Sequence, residues 1–68
     1  MKVREVLREL TRDGWEEVLP RTAGDHRQFK HPSKRGRVTI AGAPGDELAP
    51  GTLASIRGQS GLARLGRK

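Results

Sequence analysis

There is no cysteine in the 68 residues. That excludes a disulfide staple and any thiolate-bound zinc. Aromatic side chains are nearly missing too: one tryptophan, one phenylalanine and no tyrosine. The apolar core must therefore be thin, and it must use both rings. No apolar run approaches the roughly 18 residues that a membrane span needs. The first residues, MKVREVLREL, lack the continuous apolar stretch of an export signal, so the expected compartment is the cytoplasm. The Gly- and Pro-rich stretch AGAPGDELAPGT lacks the Gly-Lys-Ser/Thr ending of a phosphate loop, and no dinucleotide fingerprint occurs. Cofactors are not expected.

Acidic residues are outnumbered. Fourteen Lys and Arg stand against eight Asp and Glu, for a formal charge of +6. Most of the cations are arginine, whose planar fork suits phosphate. A small basic domain is drawn to polyanions, and nucleic acid is the commonest. Many small proteins are basic without a specific reason, so charge alone does not decide the function. A chain this short reads as one domain over residues 1–68 and buries only a modest fraction of its surface. A partner covering part of that surface would add stability.

Val3, Val6, Leu7 and Leu10 recur at helical spacing and predict a helix over about residues 2–13, with Gly14 as its stop. WEEVLPR reads as an extended segment ended by Pro20, with Trp15, Glu17 and Leu19 on one face. TAGD is a turn, with Gly24 as its structural glycine. HRQFKHP and RVTI are two further strands joined by SKRG. Short connections predict an antiparallel meander. Pro50 suits the first turn of a second helix that ends at Ser60 before Gly61. Leu62 and Leu65 can pack back, while residues 63–68 read as a frayed basic tail. The sum is an α+β fold, α-β-β-β-α, with both helices on the apolar face of a three-stranded sheet. Leu7, Leu10, Trp15, Phe29, Val38, Ile40, Leu53 and Ile56 are the expected core.

The stretch GDHRQFKHP holds both histidines. If Phe29 points into the core, alternation puts Arg27 and His31 toward that side. His26, Gln28 and Lys30 then stand on the solvent face, beside Arg37 and Thr39 of the next strand. One imidazole, one amide and several cations gather there. A neutral imidazole can take the proton of a ribose 2′-hydroxyl, which then attacks the adjacent phosphorus. Lys30 and Arg37 can stabilise the charge that builds on the phosphoryl oxygens. RNA alone carries that hydroxyl. His31, before Pro32 at a hairpin end, reads more plainly as a structural hydrogen-bonding residue. A metal site is not indicated, since the two histidines face opposite ways and only Asp25 lies near. Asp25 could bend back toward His26 and favour its charged form. Trp15 and the helix stripes read as core.

The residues REVLRELTRDGW, GDHRQFKHP, GRVTI and PGTLASIRGQSGL, in that order and spacing, resemble the HicA family of toxins. These are also called YcfA-like proteins, small messenger-RNA endonucleases of type II toxin–antitoxin systems. The resemblance runs from about Lys2 to Leu62. It implies a fold similar to a double-stranded-RNA-binding domain and metal-independent cleavage of RNA. The family pattern is Gly-Ser-His followed by a large aromatic; Gly24, Asp25, His26 and Phe29 occupy those places. The resemblance thus implies that His26 is catalytic.

Two departures stand out. Asp25 replaces the usual serine, as a modulator of His26 or a source of repulsion toward phosphate. The segment from Ile40 to Gly45 lacks the histidine that many relatives carry after the third strand. The resemblance also implies a HicB-type antitoxin as partner and mRNA as substrate, with a monomeric free toxin. Arg27, Gln28, Lys30, Lys34, Arg35 and Arg37 are candidates for RNA or antitoxin contact, although loop arginines are often simply solvated. The alternatives are a non-catalytic RNA-binding module of the same fold, and a decayed toxin that retains only antitoxin binding.

Overall fold

The computed structural model describes residues 1–19 and 26–66. The expected turn at 22–25, with Gly24 and Asp25, lies outside the described residues, as do Pro20, Arg21 and the last two residues. The elements run α1 (Val3–Arg12), β1 (Glu16–Glu17), β2 (Arg27–Lys30), β3 (Val38–Ile40) and α2 (Pro50–Ser60). This is the α-β-β-β-α order that periodicity predicts.

Helix α1 buries Val3, Val6 and Leu10, three and four residues apart on one stripe, with Leu7 half-buried beside them. It stops at Asp13. Gly14 follows with φ near +100°, a conformation that side chains rarely adopt. A methyl group there would also meet His31 Nε2 at 3.0 Å. Helix α2 starts on Pro50, whose missing N–H costs nothing in the first turn, and ends on left-handed Gly61. Leu53 and Ile56 are its buried apolar residues.

The sheet order is β1-β2-β3, all antiparallel. Phe29 stands opposite Glu17 on one side and Val38 on the other. Strand β1 is shorter than WEEVLPR suggests, although Val18 N–H still donates to Gln28 O at 2.7 Å. Leu19 does not join Trp15 inside: it is 69% exposed. Trp15, Phe29, Val38 and Ile40 turn one face of the sheet toward the helices and close a single core with their apolar residues. Gln28, Lys30 and Thr39 point to the other face and are exposed.

Two loops are more structured than the sequence suggests. The first turn of any helix has N–H groups without intrahelical partners. Here the stretch read as a plain crossing loop meets them: Val3 N–H donates to Asp46 O and Arg4 N–H to Pro44 O. Residues 63–66 are not a loose tail. Leu65 is buried in the core, and its carbonyl accepts from Arg57 Nη1 at 2.8 Å. Among the described residues no helix is long and apolar enough to cross a membrane.

Candidate nucleic-acid interface

The register of the three strands builds the exposed face row by row. Val18, Gln28 and Thr39 form one row, from the Val18–Gln28 hydrogen bond and the Gln28–Thr39 pairing. Glu16 and Lys30 form the next, and one further step of the β2–β3 register puts Arg37 beside Lys30. His26 lies one residue before β2, beyond the Gln28 row. Residues two apart on a strand are separated by about 6.6 Å. His26, Gln28 and Lys30 therefore form a line along β2, and all three are exposed. Arg37 Nη1 reaches diagonally to Gln28 Oε1 at 3.5 Å.

The two histidines have opposite environments. His26 has no hydrogen-bond or ion-pair partner among the described residues. His31 is held at both ring nitrogens. Its Nε2 lies 2.7 Å from Asp13 O, and its Nδ1 accepts from the backbone N–H groups of Ser33 and Lys34. A carbonyl can only accept, so Nε2 carries the proton. The ring meets Trp15 edge-on, with centroids 5.2 Å apart. The plainer reading of His31 as a structural hydrogen-bonding residue describes its geometry.

The cationic candidates separate as well. Lys30 and Arg37 stand on the open face, and Arg35 is exposed in the connection between β2 and β3. Arg27 points to the helix side, where Nη1 donates to Gly42 O at 3.3 Å. Lys34 is drawn inward: its Nζ donates to Asp13 Oδ2 at 2.6 Å and to Ser60 O at 3.1 Å. It joins the ends of α1 and α2 and so is not part of the sheet face. Sequence spacing could not show this, because Asp13 and Ser60 are both distant in the chain. Glu16 also belongs to this face, which the sequence does not reveal. Its position opposite Lys30 depends on the register of β1 against β2, and no local pattern reveals that. A groove of about 570 Å³ lies elsewhere, between α1 and residues 61–66, and includes none of the sheet-face residues.

The Lys34 hydrogen bond holds the Asp13 carboxyl below the usual carboxylate range, against the opposing effect of partial burial; Trp15 Nε1–H, 3.2 Å from Oδ2, and His31 act in the same direction as Lys34. A carboxyl depressed in the folded state stabilises fully above its unfolded pKa. That contribution is lost as pH falls through the folded value. The protein should therefore lose stability progressively below about pH 4, where unfolded aspartates begin to bind protons. Asp13→Asn should lower the melting temperature at pH 7 and flatten its acid dependence, measured by thermal melts from pH 2 to 7. Glu5 accepts the Lys2 backbone N–H and is depressed in the same direction, so a residual slope remains.

Among the described residues no three His, Cys, Asp or Glu side chains gather into a metal-binding group. No curated protein matches the chain. The sequence model of the HicA toxin of bacterial toxin–antitoxin systems matches residues 3–62, which span both helices and all three strands. The chain belongs to the HicA toxin family.

Proposed function

We propose that this protein is an endoribonuclease toxin that cleaves mRNA through His26, in the cytoplasm, and that a HicB-type antitoxin neutralises it. The observation that carries this reading is the contrast between the histidines. His31 has both nitrogens engaged in the fold, whereas His26 presents an exposed imidazole, without a partner among the described residues, at the head of a strand whose open face bears Gln28, Lys30 and Arg37. Family membership supports the same reading, since toxins of this kind act on RNA and pair with an antitoxin.

In the proposed step, neutral His26 takes the proton of a ribose 2′-hydroxyl. That oxygen attacks the adjacent phosphorus, the bond to the 5′-oxygen breaks, and the departing oxygen takes up a proton from solvent. The products are a 2′,3′-cyclic phosphate and a 5′-hydroxyl. Lys30 and Arg37 stabilise the phosphoryl oxygens as charge builds. The antitoxin would cover this same basic face, with acidic groups set against Lys30, Arg35 and Arg37. Glu16, opposite Lys30, already tempers the charge there.

Purified protein, freed of antitoxin, should cut a long single-stranded RNA in excess EDTA and leave cyclic phosphate ends. Retained RNA binding without scission would instead favour a non-catalytic module. Loss of both, with antitoxin binding retained, would mark a decayed toxin.

A further inference from the structure

The Gln28 amide sits one row along β2 from His26, on the same exposed face. It is the amide in the line His26, Gln28, Lys30. Cations beside it can hold phosphates, but phosphate contacts carry no sequence information. An amide can read a base edge, because it has a donor end and an acceptor end.

Which end faces outward follows from its neighbour. Arg37 lies diagonally across the β2–β3 ladder, with Nη1 3.5 Å from Gln28 Oε1. A guanidinium has only donors, so it selects the carbonyl end of the amide. The Nε2 amino group is then the end left for a ligand. Glu16 and Lys30 occupy the following row, and Thr39 stands directly across from Gln28. Val18, half-buried, is the other neighbour in its row.

We propose that Gln28 is a specificity-determining residue of this face. It donates through its amino group to an acceptor on the base of a nucleotide adjacent to the cleaved one, and Arg37 positions it by holding the carbonyl. The inference rests on the reading of the face as an RNA-cleaving site. It goes further, in requiring a base preference that favours an acceptor at one flanking position.

The test uses a pool of single-stranded RNAs randomised around a fixed centre. Sequences enriched by binding to the His26→Ala protein are determined, together with the cut sites of wild-type protein. The same is done with Gln28→Met, which keeps length and removes both polar ends, and with Arg37→Met. We expect a bias at one flanking position that falls about three- to tenfold in Gln28→Met, the loss typical of one hydrogen bond. Arg37→Met should weaken the same bias, and the double variant should lose no more of it than Gln28→Met alone. A purely structural or phosphate-binding role for Gln28 would lower affinity evenly across sequences and leave any bias intact. An unchanged or absent bias therefore overturns the inference. A Gln28-dependent binding bias without any cleavage by wild type overturns the nuclease reading and supports Gln28 as a base-reading residue.

Discussion

His26→Ala should abolish RNA scission while leaving the fold unchanged. General acid–base catalysis by one side chain contributes about 10²–10⁴ in rate, so residual cleavage should be at least a hundredfold slower. The fold should tolerate the change because the imidazole is exposed and has no partner among the described residues. Exposed substitutions of this kind usually shift stability by less than about 0.5 kcal/mol. The measurement is a single-turnover cleavage assay on wild type and variant, with melting temperatures recorded for both. His31→Ala is the informative contrast. It removes an acceptor for two backbone N–H groups and a donor to Asp13 O, so it should lower stability before it lowers chemistry. Full activity in His26→Ala would remove the nuclease assignment from this residue.

The second large effect is on folding. Trp15→Ala should leave the free protein largely unfolded at 25 °C. Trp15 is 2% exposed and is the largest side chain in the core. It packs edge-on to His31, and its indole N–H donates to Asp13. Deleting a buried tryptophan typically costs about 3–5 kcal/mol. A domain below about 70–80 residues rarely has more than about 3–5 kcal/mol in total. The two magnitudes are equal, so the variant has no reserve. Trp15→Phe keeps most of the ring contact and loses the N–H, so it should stay folded with a lower melting temperature. Far-ultraviolet circular dichroism and urea titration would separate the two variants. A cooperatively folded Trp15→Ala protein would show that the core depends less on this ring than its burial implies.

These cases show what was legible in the sequence. The two helices and the meander follow from apolar spacing and short turns, and Phe29 as the buried residue of β2 orients its neighbours by alternation alone. Alternation alone thus puts Gln28 and Lys30 on one exposed face, as the strand register does, with His26 exposed one residue before the strand. Val3 and Val6 lie on the predicted stripe and are fully buried, whereas Leu7, which the expected core includes in their place, is only half-buried. Which edge of the stripe faces the core depends on how α1 sits against the sheet, and spacing alone cannot tell that. Long-range partners were not legible. Lys34 reads as one more loop cation until Asp13 and Ser60 come together around it. The length of β1 was also hidden, since Trp15 to Leu19 alternates too loosely to define a strand end. Asp25 and Gly24, named as modulator and turn glycine, lie outside the described residues.

The loop that caps α1 has a consequence for the order of assembly. The amides of Val3 and Arg4 find their acceptors at Asp46 and Pro44, in the second half of the chain. A ribosome releases the beginning of a chain first, so these two amides have only water as acceptor until the loop beyond β3 has emerged. Contacts between distant positions form late. In hydrogen exchange, those two amides should be protected far beyond the norm for a helix start, and should open together with the loop at 43–48. In a chain assembled this way the first helix is capped by protein only after residues 44–46 have been made.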